Sequence, residues 1–368
     1  MSTLTQPISS VFKSYLKVKN VYKGGQRITP RKPGEKVYKL SSNEHPFGTS
    51  TKVIEAIKSA AQNLHLYPDA TDIRLREALA LKFEHDLSPD QFLCANSGSE
   101  ILDLTFRAFL KEGDEIIVSS PFFLQYSNFS AWMGARTVDV PLKGSKYELD
   151  VEGIVNAITD RTRIIALTSP NNPTGTIIPR DTLEALLAAI PDDILVIYDE
   201  VYRHFADDPS YQTALPYIQA GKNILALNSF SKTFGMAAMR IGYAYATPEI
   251  AAYIRQIIKP FSIPMISLEA ALAALKDQAF VDETVNLILK ERKYLQTAFR
   301  DIGLDFTPSQ ANFILIDPPK GDQQLVDHLI KNGIMTRPVT NFGAPGKVRI
   351  TIGTHDANEA LIAALNRL

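Results

Sequence analysis

The chain has 368 residues, 45% of them hydrophobic and 21% charged, enough apolar material for a large core divided between two domains. Thirty-nine basic against forty acidic residues leave a formal charge of -1, so no general electrostatic pull toward nucleic acid or an anionic membrane is expected and any phosphate recognition must be local. No apolar run approaches the roughly 18 residues needed to span a bilayer, the start lacks the apolar block of a secretory signal, and the single cysteine, Cys94, reads as a packed small residue without a partner for a disulfide or metal, so a cytoplasmic protein with no metal site is expected.

The first 45 residues, with Gly24, Gly25, Pro30, Pro33 and Gly34, read as an extended arm too short to fold alone. A helix is predicted from Ser99, with Ile101, Leu104, Ala108 and Phe109 on one stripe, opening directly after Ser97-Gly98. EIIVSS from Glu115, RIIALTSP from Arg163, DILVIYDE from Asp193 and NILALNSF from Asn223 read as strands, and a helix is predicted from Arg180. The strands are apolar on both faces, as buried parallel strands are, so the fold class is α/β with a mainly parallel sheet. Toward the C-terminus the pattern changes to a long helix from Asp282 and short strands NFILID from Asn312 and KVRITIGT from Lys347. That change predicts a large domain over 46–262 and a small α+β domain over 263–368, which the arm 1–45 joins.

Ligands collect at the carboxyl ends of strands in an open parallel sheet, so the polar residues following each strand carry the functional signal. After NILALNSF stand Ser231, Lys232 and, eight residues on, Arg240. A lysine emerging from an apolar strand into a cleft has its amine pKa lowered and becomes a carbonyl nucleophile, and Ser229, Ser231 and Arg240 beside it suit a phosphate dianion. A solvated loop lysine is the alternative. DILVIYDEVY ends on Asp199, with Tyr202 three positions later. A carboxylate buried there needs a cation, and a protonated pyridine nitrogen is one; a helix N-cap is the other reading.

SPNNPTG ends another strand as a turn in which Asn172 could donate to a ring hydroxyl oxygen, and ANSGSE puts Gly98 and Ser99 at a helix start, either an anion site or a simple cap. Phe123 and Tyr67 offer aromatic faces that either stack on a planar ring or belong to the core. Arg349, within a strand, is either a bidentate clamp for a substrate carboxylate or one half of an internal salt bridge.

In this order and spacing KLSSNEHPFG, YPD, GSE, SPNNPTG, DEVY, SFSKTFG with Arg240, ANF and VRITIGT resemble the class I/II aminotransferases of the type I pyridoxal-phosphate (PLP) fold, from about Lys39 to Thr354. Within that family KLSSNEHPFG is most similar to the KLSSNENPLG signature of the histidinol-phosphate aminotransferase branch. The resemblance implies PLP as cofactor, with Lys232 as Schiff-base lysine and proton shuttle. It gives Asp199 the ring nitrogen, Tyr202 and Asn172 the ring hydroxyl oxygen, and Phe123 the ring face. The phosphate falls to Gly98, Ser99, Ser229, Arg240 and, from the second subunit of a homodimer, Tyr67.

Substrate contacts are implied for Arg349, Arg337, Asn312, Tyr22 and His45. The chain departs from the branch at His45, which replaces an asparagine. It departs again at VYKGGQ around Tyr22, a loose version of the branch's arm, and at Gly98-Ser99-Glu100 in place of Ser-Asp-Glu. The implied reaction transfers an amino group from an amino acid or amine to a 2-oxo acid. The alternatives are an aminotransferase for aromatic or other amino acids, a PLP-dependent decarboxylase of the same fold, and a module that keeps the cofactor without catalysis.

Overall fold

The computed structural model of the protein describes residues 13–16, 36–83 and 86–368. Its larger sheet has the spatial order Phe92–Ala95, Gly242–Tyr245, Ile224–Ser229, Leu195–Asp199, Thr162–Thr168, Glu115–Val118, Arg136–Asp139. The pairings from Ile224–Ser229 to Arg136–Asp139 are parallel, and Gly242–Tyr245 runs antiparallel to both its neighbours. The four strands expected from apolar runs are four adjacent strands of this sheet, buried on both faces as such strands must be. Ile165, Leu167, Val196 and Tyr198 enter the core on one face, while Ile164, Ala166, Leu195 and Ile197 enter the core on the other. Crossover helices, among them Gly98–Phe109 and Arg180–Ala189, close over those faces.

A smaller antiparallel sheet, ordered Arg337–Pro338, Val348–Thr351, Phe313–Asp317, Asp305–Thr307, packs with helices Asp322–Lys331 and His355–Leu365. Tyr38–Lys39 pairs in parallel with Ile334–Met335, which ties the start of the described chain to this smaller layer. The long helix begins at Gln278, four residues before the expected start, and runs to Asp301. The helix before it, Met265–Leu275, places Leu268, Ala271 and Ala274 in the core of the large sheet, and Val281 joins them there. From Ile288 onward the long helix feeds the smaller core instead, together with Leu40, Tyr202 and Phe205. One helix therefore belongs to both cores.

Where Gly242–Tyr245 crosses the start of helix Gly98–Phe109, the backbones approach closely. A Cβ at Gly242 would lie 2.5 Å from the Gly98 nitrogen and 2.8 Å from the Ser97 carbonyl carbon, both backbone atoms that cannot swing away. A Cβ at Gly98 itself comes no closer than 3.5 Å to Leu227 Cδ1, with the Asn228 carbonyl oxygen at 3.6 Å, all ordinary contacts. Gly242→Ala is therefore expected to cost roughly 1–3 kcal/mol, the range of overpacked sites, and to lower the thermal midpoint. Gly98→Ala should stay within about 0.5 kcal/mol of the parent. Equal midpoints for the two variants would contradict this packing.

Candidate active site

The carboxyl ends of five strands open into one cavity of about 430 Å³. Ser97, Gly98 and Ser99 follow Phe92–Ala95, Phe123 follows Glu115–Val118, and Asn172 follows Thr162–Thr168. Asp199 closes its own strand with Tyr202 just beyond, and Ser229, Ser231, Lys232 and Arg240 follow Ile224–Ser229. Ser42, Asn43, Glu44, Phe342 and Arg349 complete the wall from the smaller layer. The cavity lies where the two cores meet, since Tyr202 itself packs edge-on against Phe313, their ring centroids 5.1 Å apart.

Asp199 is 5% exposed, and burial pushes its carboxyl up to about 6. The Tyr126 hydroxyl donates to Oδ2 at 2.7 Å and the Val201 amide to Oδ1 at 3.3 Å, and both oppose that rise. Tyr126 also shares a 2.8 Å hydrogen bond with Thr168. Among the described residues no cation forms a direct ion pair with Asp199, so its charge is held by these hydrogen bonds and by the more distant Lys232 charge. The helix N-cap reading does not apply, because the N-cap position of the short turn that follows falls on Tyr202, three residues beyond Asp199.

Lys232 shows the mirror-image shift: burial brings its amine down to about 8, helped by the Arg349 and Arg240 charges and opposed by Glu44 and Asp199. Its Nζ donates to the Asn43 carbonyl at 3.1 Å and stands 5.7 Å over the Tyr202 ring, whose hydroxyl accepts from Asn43 Nδ2 at 3.0 Å. A lysine at about 8 has a substantial neutral fraction near physiological pH and can attack a carbonyl.

The other end of the cavity is built for an anion. Helix Gly98–Phe109 starts without a side-chain cap: Ser97 makes no capping bond, so the first N–H groups are left to whatever occupies the cavity. Ser97 has φ +92° and Arg240 φ +50°, left-handed values that a side-chain-bearing residue rarely adopts, and both flank this end. The Arg240 Nη1 donates to Ala237 O at 2.9 Å, and Ser229 Oγ accepts from the Ser231 amide at 3.0 Å.

Arg349 donates to Asn172 Oδ1 at 2.5 Å and to Ser41 O at 2.9 Å, which leaves the Asn172 amide hydrogens as its donors. These oxygens are neutral. Arg337 is the cross-strand partner of Arg349, and the two guanidinium carbons stand 5.6 and 5.7 Å from the Phe342 ring.

These residues fit pyridoxal phosphate. The buried carboxylate calls for a cation such as a protonated ring nitrogen, the depressed lysine is matched to an aldehyde, and the uncapped helix start with Ser229 and Arg240 is matched to a phosphate.

Ten of the expected residues line the cavity: Gly98, Ser99, Phe123, Asn172, Asp199, Tyr202, Ser229, Lys232, Arg240 and Arg349. Arg337 reaches it through Phe342, and Asn312 through a 3.3 Å bond from Nδ2 to the Asn43 carbonyl. His45 corrects the expectation of a substrate contact. Its ring stacks on Phe280 and bonds Thr284 on the long helix, a packed position outside the cavity lining. Tyr67 is 83% exposed against Phe261 and does not reach the cavity of its own chain. Tyr22 lies outside the described residues. Cys94 is fully buried, and burial pushes its thiol well up, in keeping with a packing role.

Tyr126, Thr168, Asn43 and Phe342 were not singled out from sequence. Thr168 could have been found as the last residue of its strand and Tyr126 as the aromatic one helical turn beyond Phe123. Nothing local marks Phe342.

Comparison with known proteins places these features in a family. Residues 35–365 match the model of the family described as aminotransferase class I and II. The histidinol-phosphate aminotransferase of Moorella thermoacetica is 35% identical over 333 residues, covering 90% of this chain and 85% of that protein. The structure of the Sinorhizobium meliloti histidinol-phosphate aminotransferase in complex with pyridoxal-5'-phosphate superposes with a TM-score of 0.83 at 26% identity, covering 97% of each chain. Thermus thermophilus aspartate aminotransferase with maleate gives 0.79 at 30% identity over 91% of each.

The raised carboxyl has a consequence for stability without cofactor. Between an unfolded value near 4 and about 6, the folded chain keeps a proton on Asp199 that the unfolded chain has lost, so stability falls as pH rises through that window. Two pK units amount to roughly 3 kcal/mol. Cofactor-free Asp199→Asn is accordingly expected to match the cofactor-free parent below pH about 4 and to exceed it by up to that amount above about 6. Denaturant titrations at both pH values test this, and a constant difference between the two proteins at both would refute it.

Proposed function

The chain belongs to the class I and II aminotransferases and is a pyridoxal-phosphate-dependent transaminase, and on that footing we propose that its amino donor is histidinol phosphate and its acceptor a 2-oxo acid. The observation carrying this choice is the pair of guanidiniums, Arg337 and Arg349, set against one ring, Phe342, that lines the cavity. One arginine suffices for a carboxylate, whereas two side by side suit a phosphate dianion. The resemblance of KLSSNEHPFG to the histidinol-phosphate branch and the names of the relatives support the same donor.

The roles follow from the positions. When bound, pyridoxal phosphate supplies the electron sink for the bond broken at the donor's α-carbon. Asp199 keeps the ring nitrogen protonated, and Tyr126 and Thr168 hold its carboxylate in place. Asn172 and Tyr202 orient the ring oxygen, Phe123 covers a ring face, and Gly98, Ser99, Ser229 and Arg240 hold the phosphate. Lys232 Nζ takes the proton from the donor's α-carbon, a task suited to an amine brought down to about 8. Arg349 and Arg337 hold the donor's anionic group, while Asn312 steadies the Asn43 carbonyl that receives the Lys232 amine.

The same proposal includes a homodimer. Leu64, Leu66 and Tyr67 are all more than half exposed on one loop, and the Tyr67 ring rests on the exposed Phe261. A second subunit covering this loop would bury the apolar surface and bring Tyr67 to the neighbour's phosphate end. A cytoplasmic location is part of the reading, supported by a lone buried cysteine; among the described residues no helix is long and apolar enough to cross a membrane.

Histidinol phosphate added to the reconstituted enzyme is expected to convert bound cofactor to its amino form, and 2-oxoglutarate to reverse the change. Absorbance spectra follow both. Lys232→Ala should do neither, and Arg337→Gln should raise KM for this donor about tenfold or more, as loss of a charge-assisted bond implies. Conversion by aromatic amino acids but not by histidinol phosphate would overturn the donor, and release of carbon dioxide would overturn the reaction class. Sedimentation should find a dimer, and a fully active monomer would defeat the role given to Tyr67.

A further inference from the structure

The segment from Ser41 to Ser50 contributes Ser42, Asn43 and Glu44 to the cavity wall and is anchored at both ends. At its start the Asn43 amide donates to Thr351 Oγ1 at 2.9 Å, Arg349 takes the Ser41 carbonyl, and Asn43 adopts φ +51°. At its end Ser50 bonds Asp277, the residue preceding the long helix, and Lys52 pairs with the same carboxylate at 2.7 Å. Between these anchors lies Glu44, a cavity residue whose other bond is an exposed pair with Lys39 and contributes little rigidity. His45 fastens this middle stretch to the long helix, beside Phe47, which packs against the smaller core, and Thr49, whose hydroxyl donates to the Phe234 carbonyl at 3.3 Å.

Its contacts specify its state. The Phe47 amide donates to Nδ1 at 3.2 Å, so Nδ1 is the acceptor and the ring proton sits on Nε2, which donates to Thr284 Oγ1 at 2.9 Å. The ring stacks on Phe280 at 5.3 Å and 19°, and meets Phe47 edge-on at 5.8 Å. Burial brings the imidazole down to about 4, so it is neutral across the physiological range. Phe280 and Thr284 stand on the first turns of the helix that belongs to both cores.

We propose that His45 is a positioning residue for catalysis: a neutral Nε2–H imidazole that latches the 41–50 segment to the long helix and so sets where Glu44 and the Ser42 and Asn43 carbonyls stand around Lys232. It acts without touching substrate. The proposal takes the transaminase reading as its setting but does not depend on which donor is used.

The test uses the holoenzyme with His45→Asn, His45→Gln and Thr284→Val. Glutamine carries an N–H at about the reach of the imidazole Nε2 and can restore the bond to Thr284; asparagine cannot. Thr284→Val removes the same bond from a residue 2% exposed and absent from the cavity wall. His45→Asn and Thr284→Val should each raise KM for the amino donor roughly three- to tenfold, the factor corresponding to one hydrogen bond, with kcat within about twofold and His45→Gln near the parent. The double variant should be no worse than either single one, because both remove one interaction.

Amide hydrogen exchange over residues 42–47 should accelerate in the two impaired variants and not in His45→Gln. That readout is independent of the donor, so a failure of histidinol phosphate as substrate leaves it intact; KM is then measured with L-glutamate. If His45→Asn raises KM while Thr284→Val changes neither KM nor exchange, the ring meets the substrate directly and the latch is refuted. Unchanged KM and exchange in both variants refute it equally.

Discussion

A carboxylate taken out of water without a cation beside it organises this molecule. Asp199 ends a central strand with burial raising its carboxyl to about 6, and the Tyr126 hydroxyl and one amide are what hold its charge. Such a group is costly in an isolated chain and favourable once a protonated ring nitrogen stands opposite. Lys232, just past the end of the next strand in the chain, carries the complementary cost: an amine lowered to about 8 by burial and by Arg349 and Arg240. Each group senses the other's charge across the cavity. The two costs are met together when one planar, charged cofactor lies between them, which makes cofactor binding part of the stability of the fold.

Two of the left-handed non-glycine residues stand at the uncapped helix start. Ser97 and Arg240 both take left-handed backbone values, and Gly242 is the residue whose missing side chain lets the antiparallel strand pass the helix start. Together these leave helix Gly98–Phe109 open at its N-terminus, where its backbone N–H groups join Ser229 and Arg240 at one end of the cavity. At the substrate end the construction differs. Arg349 is fixed by Asn172 and Ser41 and lies against Phe313 and Phe342, so a flat, rigid, preoriented guanidinium faces the cavity. Asn172, which holds Arg349 in place, is itself part of the cavity wall, so one side chain links the guanidinium to the rest of the site.

The two cores meet along a narrow set of elements, and the cavity lies beside them. Tyr202 leaves the large sheet and packs into the smaller core; the long helix gives Val281 to one core and Ile288 to the other. The segment carrying Ser42, Asn43 and Glu44 bridges both. Any shift between the cores is thus felt at Lys232 through the carbonyl of Asn43.

Much of this was legible in the chain itself. Runs such as DILVIYDE and NILALNSF are apolar on both faces, as buried parallel strands are, and the polar residues just past such runs, Asp199, Lys232 and Asn172, fall at the carboxyl edge where ligands collect. The strands of the large sheet that were missed are Phe92–Ala95, Arg136–Asp139 and Gly242–Tyr245. The second is short and half-exposed and the third opens on a glycine, so neither carries the long apolar run that marked the others. What sequence could not contain is contact between distant positions: Tyr126 on Asp199, 73 residues away, or His45 on Thr284, 239 residues away. Local pattern determined the sheet, the strand ends and the chemical type of each candidate group; the packing of two cores decided which of those groups face one cavity and turned His45 away from it, because side-chain direction follows from neighbours that the chain brings together only on folding.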